Sequence, residues 1–398
     1  MKVYAQHGHQ PSDKITSGLQ EKVVSGVIFS TRYADPQRMQ ERIAEAQAAR
    51  RDADVLVDPE FYATRQMGTP NCQLGYLEDW DYFKAQRRRD LVRSEVVERV
   101  LQNTFMEVSK LDVSAHIAPN IYISQSFDSM EAGISLNFIA GAKAAFQDKK
   151  KPVYATLAVD RRTLLNTTDF KAFLNDLTVL DNPPDGYYVV VGGGLINERT
   201  DLAHSEVVDA NVISGWMLLN FILSQNGFRV INGYADILTP FLGVAGGHAG
   251  ATGWWSNLRV FSMGRYIKPE KAGGALPITR YLSKLLLNRV KVDELLAYSR
   301  VLPAVLNRLP HDKDYAGGMP TRTVEALQTW EALQSLNDDI IEKDVESSLK
   351  NLSEQVARVK AAYAQLQGRG ISEGVETITE YLDQLSGAVD GFRRLAEL

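Results

Sequence analysis

The sequence predicts an α/β protein of the (β/α)8 TIM-like barrel type, on three observations. Eight short apolar runs rich in β-branched residues recur within residues 23–265, segments of helical spacing separate most of them, and the runs end in charged, tyrosine or glycine residues. Alternating strands and helices imply parallel pairing through right-handed crossovers, and eight such units can close on themselves. The alternative is an open doubly wound parallel sheet, because the seventh and eighth runs are joined by too few residues for an ordinary crossover helix.

The first run, VVSGVIFSTRY from Val23, precedes ADPQRMQERIAEAQAARR, where Met39, Ile43 and Ala46 fall on one helical face. Asp35 before Pro36 supplies an N-cap and a proline at the first helical position. ADVLVDPEFY is the second run and ends in Asp58 and Glu60. Residues 63–72 read as a long loop, and QRRRDLVRSEVVERVLQ as charged helix. Its Arg87, Arg88 and Arg89 form the densest basic run, expected as a solvated face, with phosphate contact as the alternative.

NIYISQSF is the third run, and the small residues of SMEAGISLNFIAGAKAAF suit a helix packed closely on a sheet. VYATLAVD, the fourth, ends in Asp160 and is followed by Arg161 and Arg162; GYYVVVGGG, the fifth, closes on Gly192, Gly193 and Gly194. The apolar SEVVDANVISGWMLLNFILSQNG is a buried helix stopped by Gly227. RVINGYAD, FLGVAGG and NLRVFSMGR are the sixth to eighth runs.

Past Lys268 the pattern changes. ITRYLSKLLLNRVKVDELLAYS reads as amphipathic helix, and apolar residues at three- and four-residue spacing continue after Thr321. The expected division is therefore a barrel over residues 1–268 and a helical extension over 269–398. That extension packs on the barrel, or makes the chain a homo-oligomer or docks a protein partner.

The whole chain, with 44% hydrophobic residues among 398, can bury a large core. A formal charge of −5 and a pI near 5.8 argue against a dedicated duplex-binding surface, leaving nucleic acid only the local arginine run. One cysteine, Cys72, excludes an intramolecular disulfide and a multi-thiolate zinc site, which fits a reducing cytoplasm. MKVYAQHGHQPSDK has polar residues where a signal peptide needs apolar ones, and no apolar stretch reaches the roughly 20 residues of a membrane span. The expectation is a cytoplasmic protein without a membrane segment.

A barrel of this kind binds ligand at the C-terminal ends of its strands. Those ends present Arg32 and Tyr33, Asp58 and Glu60, Asp160 and Arg161, Gly192 and Gly193, Asn232, Tyr234 and Asp236, then His248 and Arg265. Asp58, Glu60, Asp160 and Asp236 are the candidates for acid–base or nucleophilic work, since carboxylates converging on one mouth can divide those roles. The glycines of GVAGGHAGATG, Gly246 and Gly247 among them, offer backbone amides to an anion or simply allow tight turns. Trp254 offers a stacking surface, with Trp255 beside it. No P-loop, dinucleotide fingerprint or serine-nucleophile elbow is present. His7 and His9 make at most half a metal site, so no cofactor is expected, and only magnesium held by carboxylates stays open.

Taken together, PFLGVAGG, GWWSNLRVFSMGR, VYATLAVD and YYVVVGGG resemble the late strands of tRNA-guanine transglycosylase-like barrels. The resemblance implies exchange or removal of a nucleobase at a glycosidic bond, with Asp160 in the place of the strand-four aspartate that recognises the base. It sets Gly192 and Gly193 in the place of the glycines after strand five. The family's late nucleophilic aspartate has no counterpart in Trp255, Ser256 and Asn257, and its zinc cysteines are absent. The expected function is thus a barrel enzyme acting on a nucleoside-like or sugar-containing, anionic small molecule, with Asp58 and Asp160 as the working pair and Arg32 and Arg265 as anion contacts. The alternative is a non-catalytic barrel serving as a binding or assembly subunit.

Overall fold

In the computed structural model, the described residues are all but 147–149, 194–205, 269–277, 317 and 372–374, with the side chains of 375–377 also outside the description. Parallel strands run β1 (Lys2–Gln6), β2 (Gly26–Ser30), β3 (Asp54–Asp58), β4 (His116–Ala118), β5 (Tyr122–Ile123), β6 (Val153–Asp160), β7 (Gly186–Gly192), β8 (Arg229–Gly233) and β9 (Ala249–Thr252). Their spatial order is β3-β2-β1-β9-β8-β7-β6-β4, with β5 also on β6. β4 and β5 are one interrupted barrel strand. Pro119 has no N–H to give the ladder, and the Asn120 amide instead donates to the Thr156 carbonyl at 2.7 Å.

The two ends of this sheet meet. The Ser114 amide donates to the Val55 carbonyl at 2.8 Å, and the Val55 amide to the Ser114 hydroxyl at 2.9 Å, bringing the start of β4 against β3. The result is a nearly closed eight-stranded barrel, not an open sheet, with helices around it.

Helices α1 (Lys14–Gln20) to α7 (Thr239–Val244) occupy the crossovers: α2 (Pro36–Ala49), α3 (Ser94–Val108), α4 (Met130–Ala145), α5 (Thr167–Thr178) and α6 (Ala210–Gln225). The Asp35 carboxylate caps α2 through the Arg38 amide, as the Asp-Pro signal predicts.

Three assignments of barrel strands differ. The chain's first strand is Lys2–Gln6, ahead of the first apolar run. FLGVAGG is mostly helix α7, and the strand follows it at Ala249–Thr252. NLRVFSMGR forms 3-10 turns at Ser256–Leu258 and Met263–Tyr266. The count of eight survives because two missed strands replace two false ones. VYATLAVD is consequently the fifth barrel strand and GYYVVVG the sixth, one place later than the resemblance assigns them.

After the barrel, the segment expected to be helical starts as an antiparallel hairpin, β10 (Arg280–Ser283) and β11 (Asn288–Lys291), before α8 (Val292–Val301). Then come α9 (Arg322–Ile340), α10 (Val345–Gly368) and α11 (Val375–Ala396). α9 touches β1, α1 and α7, the position of the eighth barrel helix; the Trp330 indole donates to the Thr252 carbonyl at 3.0 Å. α10 packs on α7 and α9, and α11 on α6 and α10. Residues 86–93, expected as helix, are irregular chain and turns leading into α3.

Candidate functional site

Period-two alternation decides which strand residues reach the barrel interior. The Tyr4 hydroxyl bonds the Asp54 carboxylate across the bottom at 2.5 Å, which fixes the inward set as Tyr4 and Gln6 on β1 and Asp54 and Asp58 on β3. Asp58 is therefore carried to the C-terminal mouth and is fully buried there.

Around it stands a dry cluster. Asp58 accepts from the Tyr62 hydroxyl at 2.7 Å and from the Glu60 amide at 2.8 Å. Glu60, also fully buried, accepts from the Ser30 hydroxyl at 2.5 Å and from the Tyr266 hydroxyl at 2.6 Å. Tyr188 lies near enough to feel the Asp58 charge, but its hydroxyl makes no bond of hydrogen-bond geometry among the described residues. Burial first, and the Glu60 charge second, push the Asp58 carboxyl up to about 7, against the bonds from Tyr62 and the Glu60 amide. The same burial raises the tyrosines at 62, 188, 234 and 266, so these phenols stay protonated donors.

Arg265 closes one side. Its Nη2 donates to the Tyr33 hydroxyl at 3.0 Å, and its guanidinium faces the ring of Tyr234 at 4.9 Å. Nε and Nη1 are buried with no acceptor among the described residues, as is the Tyr234 hydroxyl. Burial works against its charge, but the tyrosine ring faces around it and the nearby Glu60 outweigh this, and it stays cationic. Arg32 sits beside it, 5.0 Å from the Tyr266 ring, with Nη2 given to the Gln73 carbonyl.

Two backbone features aim these groups. Glu60 and Tyr234 lie just past the ends of β3 and β8 with φ of 47° and 56°, in the left-handed region that residues with a Cβ rarely occupy. The segment after β9 crosses the mouth: Gly192 bridges to Phe261, and the Gly193 amide donates to the Phe261 carbonyl at 3.0 Å. Phe261, with no exposed surface, packs on Tyr62, Tyr122 and Tyr234.

The remaining expected residues are placed as follows. Asp160 stands at the mouth but is bonded to Arg162 at 2.7 Å and caps the turn that follows; its described contacts join it to Tyr122, not to Asp58. Arg161 is paired with Glu206 at 3.0 Å. Gly192 and Gly193 allow close backbone approach, since a Cβ on Gly192 would lie 2.2 Å from the Tyr122 hydroxyl. Gly194 lies outside the described residues.

Asn232 points outward to α6, accepting from the Trp216 indole at 2.7 Å. Asp236 is buried in an ion pair with Arg289 of β11, with Thr252 also donating to it at 2.8 Å. Gly246, Gly247 and His248 precede β9 and so stand at the opposite, N-terminal face. There they line a cleft of about 630 Å³ with Lys2, Lys22 and Arg229. Trp254 is buried, and its indole, like that of Trp255, donates to the His9 carbonyl, fastening the N-terminal loop. His7 is buried, its ring pushed down to about 3 by burial, while His9 is exposed. Arg87 and Arg89 are exposed; Arg88 reaches Glu131 at 3.5 Å.

Sequence reading missed Gln6 and the tyrosines at 62, 188 and 266. Gln6 is fully buried with both amide atoms unpartnered among the described residues. Recognising KVYAQ as a strand would have pointed to Gln6.

The fold and this mouth define the chain as a (β/α)8 barrel with an acid and tyrosine cluster at its C-terminal end. No family model and no curated protein matches it. Solved structures with similarity include a fungal multi-domain GH3 β-N-acetylglucosaminidase, at 11% identity and a TM-score of 0.40, over 99% of this chain and 42% of that one. Others are thiamine phosphate pyrophosphorylase from Pyrococcus furiosus (10%, 0.29, 67% and 91%) and the carboxyl transferase domain of Rhizobium etli pyruvate carboxylase (11%, 0.35, 100% and 61%). The chain thus spans less than half of the first of these.

Proposed function

We propose that the chain is a barrel enzyme that moves a proton at its C-terminal mouth, with Asp58 as the general acid or base and Glu60 as the neighbour that tunes it. One observation carries this reading: two carboxylates from the end of one strand are buried together among phenol donors, and one of them is pushed up to about 7. A carboxyl in that range can hold a proton at neutral pH and still release it, which is what general acid–base work requires. Asp160, expected to share this work, is engaged by Arg162, so Glu60 takes its place in the proposal.

The substrate is proposed to be a small polar molecule of the nucleoside or sugar kind, since the mouth offers phenol, amide and carboxylate groups between aromatic faces. Cleavage at a glycosidic bond is one reaction such a pair can serve. The test begins with mass spectrometry of small molecules that purify with the protein. Turnover of the compound found should fall about 10²–10⁴-fold in Asp58→Asn, with a pH–rate limb near 7 in the wild type. Wild-type turnover in that variant would defeat the proposal.

A further inference from the structure

The geometry points to a carboxylate on the ligand of this mouth, seated against Arg265 and the Tyr234 hydroxyl, with the uncharged remainder of the molecule reaching toward Asp58. The inference rests on the proposed function of the same site and adds the chemical class of what binds there.

Of the five N–H donors on the Arg265 guanidinium, those on Nε and Nη1 have no protein acceptor among the described residues, although both atoms are buried. A buried guanidinium with unmet donors is costly, and an oxyanion accepting from them relieves that cost. The Tyr234 hydroxyl, unpartnered and buried beside the same guanidinium, supplies a further donor. Tyr234 reaches this place through a left-handed backbone conformation that costs stability, a feature that recurs where a ligand contact is being held.

Charge and backbone favour a carboxylate over a phosphate. With Asp58 protonated, as its burial beside Glu60 favours, Arg32 and Arg265 stand against Glu60 alone, so a monoanion balances the cluster and a dianion leaves excess negative charge in a buried site. Phosphate sites draw heavily on free backbone amides. In the segment that carries Arg265 the amides are spent internally: Gly264 on the Ser262 hydroxyl, Arg265 on the Ser262 carbonyl and Ile267 on the Gly264 carbonyl. The unpartnered amide of Gln6 offers hydrogen bonds to the uncharged end.

The test uses the full chain and three probes of one shape, benzoate, benzamide and phenyl phosphate, titrated calorimetrically at pH 7. Benzoate should bind saturably, at least tenfold more tightly than either of the others. Arg265→Gln should weaken benzoate at least tenfold. Tyr234→Phe, which keeps the ring and so the packing, should weaken it several-fold while thermal unfolding stays cooperative. The carboxylate site is read by benzoate binding and the acid–base role by the pH–rate limb of turnover, so a failure of one and a failure of the other give different results. Equal binding of benzamide, tighter binding of phenyl phosphate, no saturable benzoate binding, or unchanged affinity in Tyr234→Phe would each overturn the inference.

Discussion

At the residue scale, Asp58 has the largest consequence. Its carboxyl is raised in the folded chain from the ordinary value near 3.8 to about 7, so the folded state holds a proton that the unfolded state releases. The stabilisation is fully present below pH 4 and is lost as pH rises to about 7, flat above that. Asp58→Asn should remove this slope, which is on the order of a few kcal/mol. Urea denaturation of both proteins at pH 4.5 and 8 measures it; equal slopes would mean that Asp58 titrates normally. The sequence allowed Asp58 and Glu60 to be singled out because the end of β3 can be read locally, whereas Arg265 was reached through a false strand, NLRVFSMGR, whose residues form 3-10 turns. Nor did the sequence show which acids already have partners. Asp236 and Arg289 are 53 positions apart, and their pairing depends on a hairpin that the apolar spacing of ITRYLSKLLLNRVKV disguised as helix.

At the element scale, the misplaced seventh strand has a physical cause. Short strands buried on both faces carry no alternation, so FLGVAGG and AGAT differ little in pattern, and only the packing of α7 on α9 and β9 decides between them. The consequence was large for the site, because moving the strand to Ala249–Thr252 carries Gly246, Gly247 and His248 to the other end of the barrel. Gly192 illustrates what a glycine at a strand end does here. Its Cβ would press on the Tyr122 hydroxyl and then on Phe261, so Gly192→Ala should destabilise by about 1–3 kcal/mol. Tyr122→Phe in the same chain should recover part of that loss in thermal unfolding. No recovery would place the strain in the Phe261 bridge instead.

At the scale of the whole molecule, the C-terminal helices are part of how the barrel is closed to water. α6 is apolar nearly all round, as VISGWMLLNFILS announces, because one side faces the sheet and the other faces α11, where Phe392 meets Phe221 at 5.7 Å between ring centres. The polar amphipathic run after Thr321 was legible as helix, but its destination was not, since a stripe of apolar residues does not name the surface it covers. Ending the chain after Gly368 removes α11 and exposes α6, so that protein should aggregate or lose cooperative unfolding. A soluble protein with an unchanged melting temperature would contradict this packing.

The central claim is a barrel mouth built to keep one carboxylic acid poised near neutrality. Carbon-13 NMR of aspartate-labelled protein, with the Asp58 signal assigned by its loss in Asp58→Asn, follows that carboxyl directly through pH. A midpoint near 7 is predicted; a midpoint near the ordinary aspartate value of about 4 would contradict it.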